Sequence, residues 1–212
     1  MGTAKSKNFT NESIKDSLIT ATVWANLTQF LRIIVITLVL NWQFGLKLFI
    51  PISGMLLFLL IVILWDRLKK KDPKSAKSDG AKDKELDSVK INFKSPFTFK
   101  PAITFALLFM FVTIFTKIAL YFVGNSGFII SSIISAISGL DAITINTVNF
   151  AGKIVSYELG MVVLVIAACV NLFIKMIFVS STADEYFSKK MNWIFMLTVI
   201  IGIVLMFATI LI

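Results

Sequence analysis

The feature that most constrains this chain is a set of apolar stretches, each about as long as a bilayer is thick. They occupy residues 18–40, 48–65, 101–123, 159–179 and 192–212. A helix needs about 20 mostly apolar residues to cross the hydrocarbon core. Backbone N–H and C=O groups find no water there, so each stretch must satisfy them within its own helix. The sequence therefore predicts an all-α, polytopic membrane bundle with about five spanning helices.

Composition excludes several function classes. Hydrophobic residues make up 57% of the chain, which has no histidine and one cysteine, Cys169. A soluble domain of this length would need more polar surface. Without histidine, neither a His/Cys metal cluster nor a Ser-His-Asp triad is available, and general acid–base chemistry has few candidate residues. We therefore expect no enzymatic activity, no metal site and no cofactor.

Positive charge is concentrated in one segment. Eleven of the 21 Lys and Arg residues lie in residues 66–100, which contain few large apolar side chains and cannot bury enough surface to fold alone. We therefore divide the chain into an N-terminal tail and transmembrane hairpin (1–65), a basic linker (66–100) and a transmembrane bundle with a broken central element (101–212). The linker is either simply solvated or attracted to anionic lipid, at about 1 kcal/mol per basic residue. The chain lacks the alternation of aromatic and basic residues that is typical of single-strand nucleic-acid binding, so we expect no nucleic-acid partner.

Orientation follows from the positive-inside rule, which places the linker and the N-terminus in the cytoplasm of a prokaryotic cell. The chain would then be a multi-pass protein of the plasma (inner) membrane. If residues 128–157 enter and leave on one side, Lys189 and Lys190 are also cytoplasmic; if residues 128–140 cross, this pair is outside. The rule thus favours a re-entrant element.

The middle of the chain has the irregular sequence that a re-entrant element requires. Residues 128–138 are apolar but only about half a span long, and a weakly amphipathic helix resumes over residues 145–157. Ser131, Ser135 and Gly139 recur every four residues and predict a small-residue face for close helix packing. Asp141 lies at the break. Broken helices at mid-membrane bind ions or substrates in transporters, whereas the simpler alternative is that Asp141 only caps a helix that starts at Ala142.

Polar side chains inside apolar stretches are the candidate site residues, because each is costly at membrane depth unless it is paired or hydrated. The candidates for a substrate or ion pathway are Asn26, Gln29, Arg32, Lys117, Asp141, Thr144, Asn171 and Lys175. We expect Asp141 to pair with Lys175 or Arg32 near the membrane midplane. For Lys117, which lies close to its helix end, the alternative is that the side chain extends to the headgroup region.

With these segments in place, the sequence resembles the C-terminal membrane domain, of unassigned function, of MgtC/SapB-type proteins. The matching stretches, in order, are residues 21–26, 30–32, 95–97, 100–102, 105–107 and 138–144, and Asn171 with Lys175. The most specific of them is the Gly139-Leu140-Asp141 run, although the family motif has a second acidic residue where Leu140 stands here. Proteins of this type often carry an N-terminal MgtC-like domain, so the resemblance implies a stand-alone form or a fragment.

Two functions fit these features. The first is a transporter, or a transport module, for an ion or small solute that uses the broken helix around Asp141. The alternative is a regulatory or assembly protein that binds another membrane protein through the face formed by Ser131, Ser135 and Gly139. The expected partners are therefore the lipid bilayer, including anionic lipid at the linker, and either a second copy of the chain or a different membrane protein.

Overall fold

A computed structural model describes residues 2–69 and 99–211, and within these residues the chain forms seven helices and no strand. The helices are α1 (Gly2–Leu40), α2 (Trp42–Lys69), α3 (Phe99–Val123), α4 (Asn125–Ser138), α5 (Leu140–Phe150), α6 (Tyr157–Thr182) and α7 (Glu185–Leu211). Five of them, α1, α2, α3, α6 and α7, are long and apolar enough to cross a membrane. The predicted all-α membrane bundle is confirmed. Of the predicted linker, residues 70–98 lie outside the described residues.

The helices are longer than the predicted apolar stretches, although the spanning part of α1, Ser17–Leu40, agrees with the predicted residues 18–40. Helix α1 begins at Gly2 rather than residue 18, and no glycine or proline interrupts it as far as Leu40. The gap between the first two apolar stretches, residues 41–47, predicts a short turn. This prediction is wrong, because α2 begins at Trp42. Asn41 alone separates the two helices, and its Oδ1 accepts a hydrogen bond from the Phe44 N–H at 3.1 Å, which satisfies a free N–H in the first turn of α2.

Helices α4 and α5 form a re-entrant hairpin. Gly139 alone separates them, with a φ of 141°. Phe128, near the start of α4, packs against Phe150 at the end of α5, with ring centroids 6.1 Å apart. The two open ends therefore lie at one level, and the hairpin enters and leaves on the same side, as the charge pattern predicted. Asn41 Nδ2 donates to the Ala151 carbonyl at 3.3 Å, so this is also the side of the α1–α2 turn.

The opposite side holds the end of α2 and the start of α7. Asp66 accepts a hydrogen bond from Thr20 at 3.2 Å, and Lys190 Nζ lies 3.7 Å from Asp66 Oδ1. Lys190 thus lies where the linker begins, as the re-entrant arrangement requires. That this side faces the cytoplasm stays a prediction.

Helix α6 lies at the centre, in contact with α2, α4, α5 and α7. Ten of its residues are buried, among them Ala167, Ala168 and Cys169. Glycines also bring α7 close to α2. A Cβ at Gly202 would lie 2.7 Å from Met55 Sδ, and a Cβ at Gly54 would overlap Leu205 Cδ1. The bundle thus has a tight apolar contact between α2 and α7, and the hairpin on the other side of α6.

Candidate functional site at the hairpin tip

The site is built on a polar stripe of α1. Asn26, Gln29 and Arg32 are three residues apart, so their side chains lie on neighbouring turns of the same side of the helix. Asn26 is buried, Gln29 is partly buried and Arg32 is exposed. The stripe faces α6 and the tip of the hairpin. We call this meeting of α1, α6 and the hairpin tip the polar junction.

Lys175 of α6 is held by two amide oxygens of the stripe. Its ammonium donates to Asn26 Oδ1 at 2.7 Å and to Gln29 Oε1 at 2.6 Å. Side chains of a helix lean towards its N-terminus, so Lys175 reaches from near the end of α6 towards the middle of the membrane. Both partners are neutral, and no described carboxylate forms an ion pair with Lys175.

A chain of amides ties the hairpin to this lysine. Gln29 Nε2 donates to Asn171 Oδ1 at 3.4 Å, and Asn171 Nδ2 donates to the Ala136 carbonyl at 2.9 Å. Ala136 lies in the last turn of α4, where carbonyls have no partner within the helix. A carbonyl at the broken end of α4 is thus satisfied by α6, and a continuous chain of hydrogen bonds joins the hairpin tip to Lys175.

Asp141 pairs with Arg32, one of its two expected partners. Arg32 Nη2 lies 2.8 Å from Asp141 Oδ1, with 53% of the Arg32 side chain and 31% of the Asp141 side chain exposed. The alternative, that Asp141 only caps a helix starting at Ala142, is wrong, since α5 begins at Leu140, Gly139 holds the N-cap position and no side chain caps α5. Asp141 instead lies in the first turn of α5, where a carboxylate is favoured by the helix dipole. The partial exposure places the ion pair at an open edge of the junction.

Two of the residues predicted for the pathway, Lys117 and Thr144, are not part of the polar junction. Lys117 is exposed on α3, and no described residue forms an ion pair with it. Thr144 is buried in α5, where its hydroxyl donates to the Leu140 carbonyl at 2.6 Å. Six of the eight candidates therefore come together: Asn26, Gln29, Arg32, Asp141, Asn171 and Lys175.

The predicted small-residue face lies inside the chain. Ser131 and Ser135 are buried, and the Ser135 hydroxyl donates to the Ser131 carbonyl at 2.7 Å. Gly139 does not belong to this face, because no described residue beyond its chain neighbours lies within 4 Å of where its Cβ would be. Its φ of 141° is instead one that side chains rarely adopt. Ser131 and Ser135 therefore pack helices of one chain together, while Gly139 allows the hairpin to reverse.

The sequence did not predict two contacts of the hairpin. The first is the hydrogen bond from Asn171 to the Ala136 carbonyl. A backbone carbonyl cannot be recognised as an acceptor from its residue type, although the end of any helix leaves carbonyls without a partner. The second joins α5 to α3, where Asn146 Oδ1 lies 2.9 Å from Thr113 Oγ1. Thr113 and Asn146 are both polar residues within apolar sequence, and this pattern could have indicated that each needs a hydrogen-bond partner. A cavity of about 500 Å³ between α1, α2 and α7 is lined by none of the junction residues, so it is separate from the junction.

Comparison with known proteins gives one match. A family model described as a domain of unknown function, DUF4010, matches residues 2–183. No curated protein and no solved structure matches the chain. The match covers the polar junction and the whole hairpin, because it extends from α1 to the loop after α6.

Proposed function

The chain belongs to the DUF4010 family, a domain of unknown function, and we propose that it is a transporter, or a transport module, for an ion or small solute. The solute would pass the tip of the α4–α5 hairpin. The observation that carries this proposal is that the broken end of α4 is tied through Asn171 and Gln29 to Lys175, while the start of α5 carries Asp141 in an ion pair with Arg32.

The energetics of the bilayer support this proposal. Non-helical backbone at membrane depth is tolerated only where protein covers it or where it lines a water-filled cavity. Charged side chains there are costly, and they mark ion and substrate paths. Because the junction is held by side-chain hydrogen bonds, a solute can replace individual bonds while every helix stays intact. Broken helices with polar groups near the midplane serve this purpose in transporters.

The alternative is a regulatory or assembly protein. The face predicted to bind its partner is not accessible, since Ser131 and Ser135 are buried within the chain. One other observation favours it: half of the Arg32 side chain is exposed at membrane depth. A neighbouring membrane protein, or a second copy of the chain, would cover this edge. The resemblance to MgtC/SapB-type proteins fits either function. Either function also agrees with our proposal that the protein lies in the cell membrane with its N-terminus and linker in the cytoplasm and the linker near anionic lipid.

Flux measurements on the purified protein test the proposal. We would reconstitute it in liposomes and follow the entry of sodium, potassium, magnesium, chloride, phosphate and acetate. We expect flux of at least one ion, reduced at least tenfold by Asp141→Asn at equal amounts of folded protein. The control is Glu185→Gln, which removes an exposed carboxylate outside the junction. An absence of flux for every ion would contradict ion transport, and equal flux in Asp141→Asn would contradict a path past the hairpin tip.

A further inference from the structure

We infer that the polar junction binds a small anion with oxygen acceptors, such as a carboxylate or an inorganic oxyanion, between Lys175 and the hairpin tip. That this anion is transported rests on the proposed function, whereas its binding does not. The inference starts from the charges that α1, α5 and α6 bring to the junction: Arg32, Lys175 and Asp141.

These charges do not balance within the described residues. Arg32 and Asp141 neutralise each other at 2.8 Å, so the positive charge of Lys175 remains. The other carboxylates whose side chains the structure describes, Asp66, Glu158, Asp184 and Glu185, lie at or beside helix ends. Asp66, Glu158 and Glu185 pair with lysines other than Lys175. An isolated ammonium in a low-dielectric medium is very costly, so charges at such sites are paired. A bound anion would supply the missing negative charge.

The hydrogen-bond donors at the junction also suit an anion. An ammonium has three N–H donors, and Lys175 uses two of them, for Asn26 and Gln29. The Arg32 guanidinium has five donors, and one ion-pair contact, through Nη2, engages Asp141. Charge-assisted hydrogen bonds to carboxylate or phosphate oxygens are among the strongest in proteins. The junction therefore has donors to spare beside an uncompensated positive charge.

A cation fits the same groups poorly. Asp141 is the one carboxylate among the junction residues, and Arg32 already occupies it. The amide oxygens of Asn26 and Gln29 are occupied by Lys175. A metal ion would have to displace a lysine or an arginine and would then lie beside the positive charges that remain, which oppose its binding. The charges thus favour an anion as the ligand class.

Ligand-dependent stability tests this inference directly. Because a ligand that binds only the folded state raises its stability by mass action, we would measure thermal unfolding in detergent while titrating chloride, acetate or inorganic phosphate at constant sodium. We expect the melting temperature to rise with at least one anion. Lys175→Gln should weaken that binding at least tenfold. Lys175→Arg should retain most of it, because the charge is kept. The matched control is Lys189→Gln, which removes an exposed lysine outside the junction.

The outcomes separate this inference from the proposed function. No stabilisation by any of the three anions, or equal stabilisation in the wild type and Lys175→Gln, would overturn the anion site. Flux of a cation alone would leave transport standing and overturn the anion as its substrate. Anion binding that depends on Lys175, without any flux in liposomes, would support the site and contradict transport.

Discussion

Two helix contacts of this bundle are built in opposite ways. In the middle of the two helices, α2 meets α7 through glycine and apolar side chains, with Gly202 against Met55 and Gly54 against Leu205. On the other side of α6, the hairpin tip meets α1 through an ion pair and a chain of side-chain hydrogen bonds. The first contact is closely packed where these glycines lie, whereas the second consists of bonds that can be exchanged one at a time.

The two contacts show how one membrane bundle can combine a fixed helix contact with one that can rearrange. Lipid tails are as apolar as leucine, so helices in the bilayer associate through close packing and hydrogen bonds rather than through a hydrophobic force. Close packing has one good solution, and we regard α2–α7 as the fixed part. A network of amides and charges has several arrangements of similar energy. We therefore expect the polar junction to be the part that changes when a solute binds.

The largest effect should come from filling the α2–α7 contact. Gly202→Leu inserts a side chain where a Cβ alone would lie 2.7 Å from Met55 Sδ. We expect a loss of about 3 kcal/mol in the free energy of unfolding, the upper end for overpacked cores, measured by denaturation in mild detergent. Val204→Leu, on the exposed side of α7, should change stability little. If both variants unfold alike, the close approach is not what fixes this contact.

A smaller loss should follow from breaking the ion pair of the junction. Asp141→Asn leaves the Arg32 guanidinium without its carboxylate, and we expect a cost of about 1.5–3 kcal/mol, typical of hydrogen bonds to charged groups. Arg32→Gln should cost a similar amount. The double variant should lose less than the sum of the two, because no unpaired charge remains. Strict additivity in this cycle would show that Arg32 and Asp141 do not interact.

Breaking the amide chain should loosen the hairpin alone. Asn171→Leu removes the donor to the Ala136 carbonyl, and we expect a cost of about 1 kcal/mol, within the range measured for hydrogen bonds between membrane helices. Amide hydrogen exchange should accelerate in residues 128–143, while α2 and α7 keep the wild-type rate. Equal acceleration in all helices would mean that the two contacts are not independent.

The smallest effect should come from an ion pair outside the apolar interior. Lys47 Nζ lies 3.4 Å from Glu158 Oε1, with both side chains largely exposed. Water screens such a pair, so Lys47→Gln should change the free energy of unfolding by no more than about 0.5 kcal/mol. A loss as large as that of Asp141→Asn would show that the position of a charge in this bundle does not decide its contribution.

The sequence predicted the spans and much of the junction. Apolar length alone located all five spanning helices, and the three-residue spacing of Asn26, Gln29 and Arg32 placed them on one side of α1. The re-entrant hairpin followed from the positions of basic residues. Helix ends were less predictable, because capping by a single residue, Asn41, replaced a predicted seven-residue turn.

The pairing inside the junction could not be predicted. Whether Asp141 meets Arg32 or Lys175 depends on how the helices are rotated about their axes, which packing against neighbours decides. Lys175 instead found two neutral amides, and Asn171 found the backbone carbonyl of Ala136. Residue types indicate which side chains need a partner at membrane depth, and only the fold assigns the partner.

The junction and its proposed function both require that α4 and α5 enter and leave the membrane on one side. Single cysteines in a Cys169→Ala background test this with a membrane-impermeant maleimide applied to either face of sealed vesicles. Ser126→Cys, in the first turn of α4, and Lys153→Cys, after α5, should react from the same face, and Ser181→Cys, at the far end of α6, from the other. Reaction of Ser126→Cys and Lys153→Cys from opposite faces would contradict the account.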